Sequence, residues 1–160
     1  MTKTEALYPF GQEIKLQLPR RKIHSVFIHC SASDNSNHDD VSVMRDWHVN
    51  GNGWDDVGYH FFITKAGAIQ RGRPLKDIPC AQAPYNTGSI AICCHGLLEE
   101  KFTKSQFKSL RLLCTAIWNA TPMSRKEKIR FRGHNEVSSK ACPVFNYIKV
   151  LELNDEGYMP

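Results

Sequence analysis

The sequence predicts an α/β fold of three layers, in which helices flank a central mixed β-sheet. Two apolar segments of strand type, at residues 23–30 and 89–94, are the first observation behind this prediction. The second is that strand patterns alternate with helical patterns along the chain, and the clearest helix covers residues 103–121. The third is length, because 160 residues suit one domain with its own apolar core.

The first elements follow from the order of polar and apolar residues. Residues 1–22 are predicted to be an N-terminal extension, and their alternating stretch at 13–18 is compatible with an edge strand. The first strand has three consecutive apolar residues at its centre, which is typical of a strand buried on both faces. After a polar loop, apolar residues at helical spacing predict a helix over 41–49, with Asp40 or Ser42 as its N-cap.

The rest of the chain continues the alternation. Lys65-Ala66-Gly67 predicts the turn of a hairpin, and the proline-rich segment 74–88 predicts a long surface loop. A capping box from Thr103 to Gln106 begins the long amphipathic helix, which Pro122 ends. The remaining elements are strands at 57–64, 68–71 and 129–133 and a final helix at 145–153.

The charge balance bounds the choice of partner. Lys and Arg number 21 against 16 Asp and Glu, which gives a formal net charge of +5 at pH 7. Such a surface favours nucleic acid, anionic cell-wall polymers or acidic lipids. Basic clusters at 20–22 and 125–128 would serve a nucleic-acid binder, but no RNP, KH or helix-turn-helix pattern accompanies them. We therefore expect no nucleic-acid partner.

Six cysteines raise the question of disulfides. A chain of this length does not need them, and neither a CxxC redox motif nor a zinc ribbon is present. We expect mostly buried free thiols in a reducing compartment. The positions are Cys30, Cys80, Cys93, Cys94, Cys114 and Cys142.

Targeting signals are the next question. Residues 1–18 contain no apolar stretch of signal-peptide type, and no run of 18 apolar residues predicts a transmembrane helix. The expectation is a soluble chain made in the cytoplasm, without membrane insertion.

The segment 133–143 carries the most specific local signal. It places the imidazole of His134 eight residues before the thiol of Cys142, just after a strand, and both groups suit zinc. His29 is the best candidate for a third ligand, because it ends the first strand, where ligands of α/β sheets bind. His24 would lie on the opposite face of that strand. A structural role for these histidines remains the alternative.

Two histidines and a cysteine with one open position are the pattern of catalytic zinc, since structural sites are closed by four protein ligands. Zinc lowers the pKa of bound water to about 7 and polarises a carbonyl group. Lys140, two residues before Cys142, is a candidate ammonium group beside the metal, and Tyr59 is a candidate phenol from a neighbouring strand. A surface lysine and a core tyrosine remain the alternatives.

Five blocks of sequence carry a family resemblance. They are Phe27-Ile28-His29-Cys30-Ser31-Ala32, Trp47-His48, Asp56-Val57-Gly58-Tyr59-His60-Phe61, Arg71-Gly72-Arg73, and Gly133-His134 with Lys140-Ala141-Cys142-Pro143. In order and spacing, residues 23–153 resemble the type-2 N-acetylmuramoyl-L-alanine amidases, and within them the small phage lysozymes of T-odd coliphages. Peptidoglycan-recognition proteins share the fold of this family.

The resemblance implies a zinc amidase catalytic domain over residues 23–160, which cuts the amide bond between N-acetylmuramic acid and the L-alanine of the stem peptide. It implies that His29, His134 and Cys142 hold Zn²⁺ and that Tyr59 and Lys140 assist catalysis, while the assignment of acid and base stays open. Non-catalytic recognition relatives typically lose the cysteine or the tyrosine. The complete set therefore favours an enzyme over the alternative, a peptidoglycan-binding module without catalysis.

One position departs from the family pattern. Relatives often carry a cleft histidine before a Tyr-Asn pair, here Tyr85-Asn86, and this chain has Cys80 in that place with one extra residue nearby. The loop 79–87 is therefore expected to grip the stem peptide differently. Asn86 is kept as a candidate substrate contact, and no role is carried over to Cys80.

A phage endolysin is the context that the resemblance favours. Such an enzyme is made in the host bacterial cytoplasm and acts on the cell wall after release, with peptidoglycan as its partner. We expect a monomer. A secretion-system effector and a cytoplasmic muropeptide-recycling amidase remain open as other contexts.

Overall fold

Residues 3–122, 124 and 129–160 are described by a computed structural model, and among them five strands form one mixed sheet. The strands are β1 (Ser25–Cys30), β2 (Phe61–Ile63), β3 (Ile69–Arg71), β4 (Ser89–Cys94) and β5 (Arg130–Gly133). Their order across the sheet is β3-β2-β4-β1-β5. All neighbours are parallel except β2 and β3, which form the predicted hairpin.

Strand β1 lies between β4 and β5, and each of its six residues is buried. This confirms the prediction of a central strand from its apolar run. The hairpin turns at Gly67, whose φ of +87° lies in the left-handed region that glycine adopts without strain. The two strands of the hairpin are shorter than predicted, three residues each.

Helices cover both faces of the sheet and make the three predicted layers. They are α1 (Val41–Asp46), α2 (Lys104–Ala120) and α3 (Tyr147–Leu151). On one face, α2 and α3 bury their apolar side chains in the same cluster as Val26 and Ile28 of β1. On the other face, α1 packs Val41 and Met44 against Phe62 of β2.

Side-chain caps fix where each helix begins. Asp40 accepts a hydrogen bond from the Ser42 N–H at 2.9 Å, so Asp40 is the N-cap of α1. The α-helical part of this segment ends earlier than predicted, because the chain continues as a wider π-helical turn over Trp47–Gly51. The predicted capping box of α2 is present. Helix α3 is shorter than the predicted 145–153, because the side chain of Asn146 caps its start and Glu152 ends it in a left-handed conformation at φ +55°.

The N-terminal segment differs from its predicted form. Residues 13–18 form no strand, and Tyr8 instead pairs with Ile69 on the outer edge of β3. Since Tyr8 already occupies that edge, the alternating stretch has no strand partner, and its apolar side chains pack partly buried against the core. Thr4 also bonds to Asp40 through both its N–H and its hydroxyl. The domain boundary at residue 22 stays a prediction.

The basic clusters take different positions. The guanidinium of Arg21 turns onto the fold and donates to the carbonyl of Leu75 at 2.9 Å. Arg125, Lys126 and Lys128 lie outside the described residues. Within the described part of the chain, no helix combines the length and apolar character that crossing a bilayer requires.

All six cysteines are free, as predicted, and every one of them except the half-buried Cys80 is buried.

Candidate metal centre

The three predicted ligands come together at the carboxyl ends of two neighbouring parallel strands. His29 lies in β1, and His134 follows β5 directly in a short 3-10 turn. Cys142 reaches the same point from the loop after that turn, where its carbonyl accepts a hydrogen bond from the Asn135 N–H at 2.7 Å. The Cys30 N–H donates to its sulfur at 3.2 Å.

The ligand atoms of His29, His134 and Cys142 all lie within 4.8 Å of one another. The Cys142 Sγ is 3.9 Å from the His29 Nδ1, and the two imidazole rings are 4.5 Å apart between centroids. His29 and Cys142 are buried, whereas His134 is partly exposed to the cleft above. The arrangement is a pocket of converging donors with one open side.

Burial keeps both imidazoles neutral at physiological pH. It lowers the pKa of His29 to about 3, with smaller contributions from Lys140 and from the repulsion that a protonated His134 would add. Burial and Lys140 also lower the pKa of His134. Contact with the Cys30 thiol and burial raise the pKa of Cys142, so the metal-free protein holds this sulfur as a thiol.

The donor set fits a zinc ion. Two imidazole nitrogens and one sulfur are ligands that zinc prefers, and three protein ligands leave a coordination position for a substrate or water. Among the described residues, the cluster of potential metal donors has these three members and no fourth. Binding of the ion would require the Cys142 thiol to lose its proton.

Tyr59 lies beside this cluster, with its ring 5.2 Å from that of His29. Burial raises the pKa of its phenol well above the ordinary value, and neighbouring cysteines add to the shift. Only glycine fits at position 58, directly before Tyr59, because a Cβ there would lie 2.1 Å from the carbonyl oxygen of Cys80. The phenol is therefore protonated and its ring lies beside the His29 imidazole.

A cleft of about 530 Å³ opens over the three donors and is lined by Tyr59, Lys140 and Cys80 among others. Lys140 is exposed, and its charge reaches both imidazoles, as their lowered pKa values show. The predicted assistants thus share one cleft with the predicted ligands.

Asn86 has a different environment. Its side-chain oxygen accepts hydrogen bonds from the backbone N–H groups of Ala81 and Gln82, at 3.0 and 2.9 Å, and so closes its own loop. The substrate contact proposed for it from the sequence stays a prediction.

Sequence reasoning missed Gln82. Its Oε1 lies 2.8 Å from the Nε2 of His29, and the residue is 1% exposed. A glutamine in a loop carries no metal-ligand or acid–base signal, so spacing alone could not have identified it.

The other histidines have hydrogen bonds within the fold, in accord with their exclusion from the predicted site. Their partners are Ser25 for His24, Ser33 for His38, the Gly58 N–H for His48, the Asp77 carbonyl for His60, and Ser31 for His95.

Comparison with known proteins agrees with the fold and the resemblance expected from the sequence. Residues 19–145 match the family described as N-acetylmuramoyl-L-alanine amidase. An endolysin of Enterobacteria phage T3 is 34% identical over 143 residues, which cover 86% of this chain and 91% of the phage protein.

Two solved structures share the fold. The N-acetylmuramoyl-L-alanine amidase LysC from Clostridium intestinale URNW has a TM-score of 0.70 at 24% identity, with 82% of this chain and 85% of LysC covered. Drosophila peptidoglycan recognition protein SD has a TM-score of 0.69 at 21% identity, with 95% of this chain and 93% of that protein covered.

Proposed function

The chain belongs to the N-acetylmuramoyl-L-alanine amidase family, and from this premise we propose that it hydrolyses peptidoglycan with a zinc ion held by His29, His134 and Cys142. The bond cut is the amide between N-acetylmuramic acid and the L-alanine of the stem peptide. The observation that carries the proposal is the convergence of two imidazoles and a thiol within 4.8 Å, under an open cleft.

The ion, when bound, would supply a Lewis acid that polarises the scissile carbonyl and lowers the pKa of water. The chain's own residues prepare this site in two ways. The lowered pKa values of His29 and His134 keep a lone pair on each imidazole at neutral pH. Burial of His29 and Cys142 also keeps bulk water away from one side of the cluster.

Tyr59 and Lys140 would act on the substrate itself. The raised pKa of Tyr59 keeps its phenol protonated, so it can donate a hydrogen bond to the oxygen that gains negative charge as the amide is attacked. Lys140 brings a positive charge to the same cleft, where it would stabilise that oxygen and assist proton transfer to the leaving L-alanine amine.

The cellular role that we propose is that of a phage endolysin. The phage T3 relative carries that name, and a net charge of +5 favours approach to an anionic cell wall. The chain would be made in the host cytoplasm and act as a monomer on the wall after release.

Digestion of purified peptidoglycan tests the bond that is cut. We expect new free amino groups on L-alanine and no new reducing sugar ends. New reducing ends would indicate a glycosidase and overturn the proposal, and binding of peptidoglycan without release of fragments would indicate a recognition module.

Metal dependence is tested separately by elemental analysis and chelation. Zinc should bind at one ion per chain, and removal of the ion or Cys142→Ser should abolish hydrolysis. Cys80→Ser is the matched control for loss of a thiol in the same cleft, and this variant should keep its zinc. Full activity of the metal-free protein would exclude the proposed role of the ion.

A further inference from the structure

We propose that Gln82 is a positioning residue for the metal centre: it fixes the tautomer of His29 so that the Nδ1 lone pair faces His134 and Cys142. This inference rests on the metal site proposed above, and it concerns a residue that contacts neither the ion nor the reacting atoms. Gln82 is 1% exposed, and its side-chain oxygen is 2.8 Å from the His29 Nε2.

The hydrogen-bond network around Gln82 determines which end of its amide faces His29. The hydroxyl of Ser89 lies 2.7 Å from the carbonyl oxygen of Asn86. A carbonyl oxygen can only accept, so the Ser89 hydroxyl donates its hydrogen there. The Ser89 oxygen must then accept from its other neighbour, the Gln82 amide nitrogen, at 2.7 Å.

A second contact agrees with this orientation. The same nitrogen of Gln82 also points at the carbonyl oxygen of Tyr85, at 3.4 Å. If the amide were reversed, its oxygen would face the carbonyl oxygen of Tyr85, so that two acceptors would oppose each other. The Ser89 hydroxyl would then have to donate to the amide oxygen, which would leave the Asn86 carbonyl oxygen without its donor. The amide nitrogen therefore faces Ser89, and the amide oxygen faces His29.

This orientation assigns the proton of His29. An amide oxygen accepts only, so the His29 Nε2 must carry the hydrogen and donate it to Gln82. A neutral imidazole has one N–H, which leaves the lone pair on Nδ1. Nδ1 is the nitrogen that lies 3.9 Å from the Cys142 sulfur, so the lone pair points into the cluster.

The loop holds Gln82 in this place from both sides. Asn86 accepts from the Gln82 backbone N–H at 2.9 Å, and the Ser89 hydroxyl anchors the side chain to the start of β4. Outer hydrogen-bond partners of metal-binding histidines typically contribute 10–100-fold to metal affinity. The segment between Cys80 and Ser89 thus serves the metal centre as well as the cleft wall.

Two substitutions separate the hydrogen bond from the space that the side chain fills. Gln82→Met keeps a similar volume and removes the acceptor, whereas Gln82→Glu keeps an acceptor oxygen. We expect Gln82→Met to weaken zinc binding about 10–100-fold in competition with a chromophoric chelator. Gln82→Glu should weaken it less, because one carboxylate oxygen still accepts from His29 while the Ser89 hydroxyl turns from Asn86 to donate to the other. Gln70→Met is the matched control, because Gln70 is equally buried but bonds to Val41 and Thr4.

Nitrogen NMR of the metal-free protein reads the tautomer directly. His29 should carry its proton on Nε2 in the unaltered protein and in Gln82→Glu, and Gln82→Met should shift the proton toward Nδ1. Protonation of Nδ1 in the unaltered protein would overturn the inference even if Gln82→Met does not fold. Unchanged zinc affinity and tautomer in Gln82→Met would also overturn it. Failure of the unaltered protein to bind zinc would instead overturn the proposed function.

Discussion

Single side chains in the cleft differ in the state of their protons because of where they are buried. Burial removes the proton from His29 and keeps it on Tyr59, since a low dielectric disfavours the charged form of either group. Neutral imidazoles are what a metal ion needs, and a protonated phenol is what a developing oxyanion needs. The same physical cause therefore leaves each group in the protonation state that its proposed role requires.

Tyr59→Phe removes only the hydroxyl group. Loss of one hydrogen-bond donor to an oxyanion typically lowers kcat by about 10²–10³-fold, and we expect a fall of this size in peptidoglycan hydrolysis. Zinc affinity should not change, because the phenol is not a ligand. Tyr8→Phe serves as the control, since the Tyr8 hydroxyl donates to the surface carbonyl of Lys15. Hydrolysis at the original rate by Tyr59→Phe would contradict the proposed role.

Among the elements, α2 is joined to the sheet by its first turn as well as by its apolar face. Thr103 accepts from the Gln106 N–H at 3.0 Å and donates to the Lys65 carbonyl in the hairpin turn at 2.6 Å. The Gln106 side chain accepts from the Thr103 N–H and donates to the carbonyl of His95, just after β4. The capping box therefore connects three elements.

Thr103→Ala should lower the free energy of unfolding by about 1–2 kcal/mol, the usual effect of losing an N-cap. Urea unfolding measures this change, and the metal site should remain intact because it lies at other loops. Thr103→Ser keeps the hydroxyl and should restore most of the loss. A variant Thr103→Ala as stable as the original would show that the cap contributes nothing here.

The sequence predicts an element well when the signal is local. The capping box of α2 and the central strand β1 are examples, because a few consecutive residues determine each of them. The convergence of His29 and His134 was also predictable, since the ends of neighbouring parallel strands meet at one edge of a sheet.

Other features depend on contacts that no local pattern records. Residues 13–18 alternate like a strand, but Tyr8 takes the sheet edge that they would need. Gln82 contacts His29 across 53 residues of chain, and only the conformation of its loop creates that contact. Both features depend on contacts between residues that are far apart in the chain. Sequence spacing does not contain this information.

At the scale of the whole molecule, buried histidines tie stability to pH. His60 lies directly before β2, where burial lowers its pKa to about 4, and His29 has a pKa of about 3. In the unfolded chain both take up a proton near pH 6.5. Unfolding therefore consumes protons below that pH, so the folded state is fully favoured above pH 6.5 and loses stability as the pH falls toward 4.

We expect the metal-free protein to lose about 2 kcal/mol per buried histidine between pH 6.5 and 4.5, as measured by urea unfolding. This pH range lies above the one in which Asp34 and Asp40 affect stability, because their pKa values are lowered to about 2. His60→Gln should reduce this loss of unfolding free energy by about 2 kcal/mol, the contribution of one buried histidine. An unfolding free energy that does not vary with pH in this range would contradict the prediction.

The central place of β1 also has a consequence for synthesis of the chain. Ser25 pairs with Ser89 on one side and with Arg130 on the other, so the strand made first receives its two neighbours late. At roughly 5–20 residues per second, a ribosome needs several seconds to make the intervening segment. Throughout that time the nascent chain carries an unpaired, apolar strand with both edges open, the kind of segment that chaperones bind.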